Sequence, residues 1–214
     1  MLACAAAVLP APAAAQVRPG VEIQLPSASR LTMEGPIVRS RGTLSDASIR
    51  QLLQSGFPAR LHYRLELWAD GRFFDELQRT IEWDVVVEFR AVEQTYEVIQ
   101  HVGDRPLSLG AFRRVEDAEV AASRPMRVPI AAPADDRRFY YLATLEVETL
   151  SVSDLDEVER WLRGELQPAV RGDRNPGTAL TRGIRSLATR LLGGDRRQYS
   201  VRSPSFRPPA DAIR

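Results

Sequence analysis

The sequence predicts an α+β protein: an antiparallel, β-sandwich-like core with two inserted helices and a C-terminal helical pair. Three observations carry that expectation. Apolar and polar residues alternate with period two in "ARLHYRLELW", "TIEWDVVVEF" and "RFYYLATLEVETL". Turn residues separate such runs at short range, which favours hairpins over parallel crossovers. After residue 150 the apolar spacing changes to the helical 3–4.

The elements follow in order. Residues 21–42 hold short β-prone runs between turn residues and read as two strands. "LSDASIRQLLQSG" reads as the first helix, with Ser45 as N-cap, a stripe of Ile49, Leu52 and Leu53, and Gly56 at a left-handed close. Pro58 prevents its continuation. In the run from Ala59, Leu61, Tyr63, Leu65 and Leu67 form an inner face, and Arg60, His62, Arg64 and Glu66 an outer face expected to be wet. Ala69-Asp70-Gly71 marks the turn that follows. Ile81, Trp83, Val85, Val87 and Phe89 repeat the alternation, and a turn near 92–94 leads to its partner "TYEVIQHV". "LSLGAFRRVEDAEVAAS" reads as the second helix, because Phe112, Val115 and Ala118 or Glu119 share helical spacing. "RPMRVPI" is a short edge-like strand, since Pro129 lacks a ladder donor. Residues 138–150 form a long closing strand.

"SVSDLDEVERWLRGEL" opens a C-terminal helical unit at 151–195, with Ser153 as cap, acids early and Arg160 and Arg163 late, as the helix dipole favours. Its second helix carries Leu180, Ile184, Leu187 and Leu191 on one face. Residues 196–214, with Pro204, Pro208 and Pro209, read as an extended basic tail. The core domain is then 16–150.

Composition narrows the chemistry. The 214 residues suffice for one domain with an appendage, and 44% apolar with 27% charged content is ordinary for a globular protein. All 29 basic residues are arginine, so no side-chain amine can form a Schiff base. "MLACAAAVLPAPAAAQ" reads as a signal peptide over 1–15, with Ala13 and Ala15 in an A-x-A pattern and cleavage before Gln16. The expected location is therefore periplasmic or secreted. Cys4 is the lone cysteine, so the processed chain is expected to have no thiol, disulfide or cysteine metal site. No later run reaches the 18 or so apolar residues of a membrane helix.

"LSDASIRQLLQSGFPARLHYRLELW", "TIEWDVVVEF", "TYEVIQHVG", "LGAFRRVEDAEVA" and "FYYLATLEVE" occur in the order that resembles the secreted bacterial family called domain of unknown function 4390. The likeness covers about residues 20–150 and rests on fold patterns rather than chemical motifs. It implies an exported β-rich protein and, from gene neighbourhoods in that family, an envelope sensor kinase as a partner. It implies no catalytic residues. The chain departs from the family pattern after residue 150, where it adds two helices and a basic tail.

Motifs for catalysis are absent: there is no Gly-x-Ser-x-Gly, phosphate loop, H-E-x-x-H or glycine-rich nucleotide fingerprint. His62 and His101, the only imidazoles, are 39 residues apart and are not expected to share a metal. Asp154, Asp156, Glu157 and Glu159 read as a charged helix start rather than a calcium site, and "RGD" at 171–173 reads as chance. No cofactor or metal is expected. Charge is split along the chain. Residues 160–214 hold twelve arginines against Glu165, Asp173, Asp195 and Asp211, net +8, and residues 1–159 hold seventeen against twenty-four acids, net −7. This asymmetry points to a docking surface at Arg182, Arg185, Arg190, Arg196 and Arg197 for an envelope protein or an anionic membrane surface. The same basic end could instead pack on the acidic sheet. Nucleic acid is not an expected partner of an exported chain. The expected function is a non-enzymatic interaction module of the bacterial envelope. The alternative is a hydrolase-like enzyme whose carboxylates sit in a cleft without a readable motif.

Overall fold

The computed structural model describes residues 18–103, 105–149 and 196–209. Nine strands and two short α-helices are placed among them: β1 (Gly20–Gln24), β2 (Ile37–Arg41), α1 (Ala47–Gln54), β3 (Ala59–Asp70), β4 (Glu76–Arg90), β5 (Thr95–Val102), β6 (Arg105–Phe112), α2 (Val115–Ala122), β7 (Met126–Arg127), β8 (Arg138–Thr149) and β9 (Arg197–Arg202). They build two sheets, β1-β2-β7 and β6-β5-β4-β3-β8-β9, with every described pairing antiparallel. The protein is thus mostly antiparallel β with two short helices. The C-terminal helical pair expected at 151–195 lies outside the described residues.

The core forms where the alternation put it. Leu61, Leu65 and Leu67 of β3 have no exposed surface. They share one apolar cluster with Val85 and Val87 of β4, Leu145 and Val147 of β8, and Val21 and Val38 of the small sheet. Burying such a side chain contributes about 1.5–3 kcal/mol. Tyr63 stacks on Trp83 at 4.9 Å between ring centroids, and its hydroxyl meets Ser40 Oγ at 2.7 Å, which ties β3 to β2 across the core. Burial pushes the Tyr63 phenol up to about 12, so it remains a neutral hydrogen-bonding group. Tyr141 Oη donates to the carbonyl of Ile130, a second tie, at 2.7 Å, between β8 and the segment after β7.

Three sequence expectations need correction. The cap of α1 is Asp46, whose Oδ1 accepts from the Ser48 backbone amide at 2.8 Å; Ser45 instead donates to the carbonyl of Gly42 at 2.6 Å. The helix does close at Gly56, with φ +89. The segment "LSLGAF", expected to open the second helix, is part of β6. Its backbone pairs with β5 through a tight turn in which Gly103 takes φ +64, and Gly110 at φ +125 is outside helical geometry. Pairing with a neighbouring strand overrides the local helical spacing, and α2 starts only at Val115, with Glu116 and Asp117 in its first turn. Lastly, residues 197–202, expected in a tail, form β9 on the outer edge of β8.

The wet face of β3 holds only in part. Arg64 and His62 keep some exposure, but Arg60 and Glu66 are buried, at 8% and 7% of their full surface. The outer face of β3 is therefore partly buried. Substituting Leu65→Asp, which puts a charge against the core, is expected to cost several kcal/mol or prevent folding. Denaturant unfolding followed by tryptophan fluorescence measures it, and a change within about 0.5 kcal/mol would mean that the register is wrong by one residue.

Candidate functional site

The outer face of β3 carries the densest polar cluster with shifted titration among the described residues. Cross-strand register builds it. Arg60 lies opposite Glu148 of β8, His62 opposite Asp84 of β4, and Asp84 opposite His101 of β5. The two histidines, far apart in sequence, thus flank one carboxylate in a single rung over three strands. Arg60 donates from Nε to Asp84 Oδ1 at 2.9 Å and from Nη1 to Glu148 Oε1 at 3.0 Å. His62 Nδ1 lies 2.8 Å from the same Asp84 oxygen.

The charges decide the proton positions. Burial works against the Asp84 carboxylate, but the hydrogen bond from His62 and the guanidinium of Arg60 outweigh it and hold its pKa below the ordinary value. An ionised carboxylate only accepts, so His62 donates from Nδ1 and keeps Nε2 as its acceptor when neutral. The approach of Arg60 Nη2 to His62 Nδ1 at 3.4 Å is then a close contact between two donors. Burial likewise disfavours the Arg60 charge, and Asp84 and Glu148 overcome it. His101 is pushed below its usual 6.5, chiefly by burial, with Asp84 opposing.

The predicted docking arginines divide. Arg182, Arg185 and Arg190 lie outside the described residues, as do the acids at 154–159 and the RGD triplet. Arg196 donates from Nη2 to Glu148 Oε2 at 3.1 Å, so Glu148 bridges it to Arg60. Arg197 pairs with Asp46, the cap of α1. Hydrogen bonds from the Ser48 side chain and Arg197 hold Asp46 at about 2. These two arginines are engaged with acids of the protein itself. Sequence reasoning missed Arg60, Asp84 and Glu148 as a set; the available signal was an arginine and a histidine on the same face of one strand, with acids on the same face of its neighbours.

Cavities walled by described residues lie elsewhere. One of about 800 Å³ is walled by Leu67, Gln78 and Arg79 of the large sheet, by Thr32 and Met33, and by Ala131–Ala134. A smaller one of about 180 Å³ lies beside Tyr63, Trp83, Gln100 and Met126. Neither is lined by a histidine or a carboxylate. Among the described residues no group of three or more His, Cys, Asp or Glu could hold a metal, and no helix is long and apolar enough to cross a membrane. No family model matches the chain, and neither does any curated protein or solved structure.

Removing Arg60 would leave two carboxylates facing each other over a poorly solvated strand. Arg60→Leu is expected to destabilise by about 3–5 kcal/mol, the usual cost of breaking a buried pair from one side. Arg60→Leu combined with Asp84→Leu should cost less than the sum of the single changes, measured by denaturant unfolding in a double-mutant cycle.

His101 sets an acid-side slope. Its folded pKa lies below 6.5, so beneath that pH the unfolded chain binds a proton that the folded one refuses. Stability from His101 is complete above about 6.5 and declines as pH falls through and below it. Asp84, with its pKa depressed, adds its own loss only at lower pH, below the ordinary carboxylate value of 3.8. Melting temperatures from pH 8 to about 4 should fall less steeply in His101→Gln than in the parent, and parallel curves would refute the assignment.

Proposed function

We propose that the protein is a non-enzymatic interaction module of the bacterial cell envelope, exported to the periplasm or cell surface. The observation that carries this reading is where the linked ionisable groups sit. Arg60, His62, Asp84 and Glu148 satisfy one another on the face of a sheet, and neither cavity described above has a carboxylate or an imidazole in its wall. An enzyme site usually brings such groups together in a concavity. The Ala-rich leader and the resemblance to a secreted family support export, and that resemblance suggests a sensor or assembly of the envelope as the partner.

The docking surface in this reading is the basic C-terminal region. Arg196 and Arg197 already neutralise Glu148 and Asp46, so the charge offered to a partner falls to Arg182, Arg185 and Arg190. One observation favours the second reading, a hydrolase: Asp84 orients His62 with Nε2 as its acceptor, as in an acid–base dyad.

Changing Arg182, Arg185 and Arg190 together to Gln tests the first reading. Melting temperature should stay within about 2 °C, while salt-sensitive capture by envelope extract or anionic vesicles should fall several-fold. A marked loss of melting temperature with no capture by the parent would assign those arginines an internal role. Turnover of chromogenic ester, amide or glycoside substrates that disappears in His62→Ala would favour the hydrolase.

A further inference from the structure

The β3–β4 hairpin outruns its neighbour on one side. β4 extends over Glu76–Arg90, but β5 pairs with it only from Asp84 to Arg90, because the chain turns away at Val102 and Gly103. On its other side β4 is paired with β3 up to Ala69. Among the described residues, nothing pairs with the β5-side edge of residues 76–83. A register shift falls between Leu67 and Trp68, which leaves residues 79–83 as the regular part of the overhang, roughly 17 Å at 3.4 Å per residue.

Three further features meet there. The cavity of about 800 Å³ lies against the overhang, walled by Leu67, Gln78 and Arg79 and, opposite, by Met33 and Pro133. Arg79 is the only charged residue in its wall and makes no ion pair or side-chain hydrogen bond among the described residues. At the hairpin tip Phe73 and Phe74 are 84% and 89% exposed. Their loop is braced rather than slack. Asp75 accepts from the Gly71 amide at 3.1 Å and from the Tyr140 hydroxyl at 2.8 Å, and a Cβ on Gly71 would collide with the carbonyl oxygen of Phe74.

We propose that residues 79–83 of β4 and the adjoining cavity form a strand-addition site for an extended peptide segment of a partner protein, one bearing an apolar side chain and an acidic group. This rests on the interaction-module reading and names the mode of recognition. The outward amides and carbonyls of the overhang bond the incoming backbone, as in other sheet-edge recognition. The cavity takes an alternate side chain, and Arg79 meets the acid. Phe73 and Phe74 add apolar contact at one end. The overhang also carries Glu76, Arg79 and Glu82, and charges on an edge disfavour indiscriminate pairing of identical strands.

The test uses the full chain and a random peptide library displayed on phage. Enriched sequences should be extended and should combine an apolar residue with an acid. A synthetic enriched peptide should slow amide exchange at 79–83. Its affinity should fall at least about tenfold when alternate peptide nitrogens are methylated, and likewise with Arg79→Glu, an exposed position at which melting should not change. Thr80→Pro is a second edge variant, read in the same assay alongside its melting temperature. The proposal fails if no sequence is enriched, or if the protected amides lie elsewhere. It also fails if 79–83 is already protected without peptide, since a segment of the chain or a second copy would then fill the edge. Equilibrium sedimentation separates those two. If envelope capture persists in Arg79→Glu while peptides fail, the interaction module stands and this site does not.

Discussion

The large sheet depends on one guanidinium. Arg60 sits on the central strand between an acid on each neighbour, Asp84 of β4 and Glu148 of β8, and its side chain is about one-tenth exposed. Without a cation at that point, two carboxylates would share a poorly solvated strip between three strands. With it, register is specified, because a slip of one residue would send Arg60 into the apolar cluster and Leu61 out of it. Net stabilisation from such a pair is small, since desolvation offsets most of the attraction. What it provides is a penalty on every alternative pairing. The salt bridges at the rim, such as Arg39 to Glu22 and Arg90 to Glu97, are more exposed and contribute about 0–1 kcal/mol each.

This constraint also explains what was legible in the sequence. The apolar half of each strand was readable, because period-two spacing is local and Leu61, Leu65 and Leu67 needed only an inside to face. The polar half was not. A face of Arg, His, Arg and Glu reads as wet from the strand alone, and its burial arises from residues 24 and 88 positions away that supply matching charge. Likewise, "LSLGAF" has helical spacing to the residues after it, and only pairing with β5 makes it a strand. Residues 197–202 carried no strand signal strong enough to outweigh the prolines that follow, yet the free edge of β8 takes them up. In each case a long-range partner, absent from any short window, decided the outcome.

The candidate site was legible only in part, by the same measure. The two histidines were visible, and their distance in sequence argued against a shared role. Antiparallel pairing cancels that distance, since β3, β4 and β5 bring His62, Asp84 and His101 into one rung. The charge split of the chain was visible as well. Two of its five marked arginines are engaged internally, Arg196 with Glu148 and Arg197 with Asp46, which gives part of the basic excess a structural use.

Unequal strand lengths connect the core to recognition. A sheet whose strands all matched would leave only its two outermost edges open, and here those are β6 and β9. β6 contains Pro106, which has no donor to offer, and β9 is followed by Pro204 and a further pairing of Phe206 with Phe139. Both ends of the strand order are thus blunted in ways common to natural sheets. The β4 overhang differs because it lies in the interior of the strand order and is open only where β5 has turned away. Its base is anchored by the rung of His62, Asp84 and His101, the last rung that β5 shares with β4. The Arg60 network that fixes register therefore lies next to the free edge, and Arg64 of β3 pairs onward with Glu82 inside it. A peptide added beyond that rung would extend the sheet from a rigid base, with little backbone ordering left to be done on the protein's side.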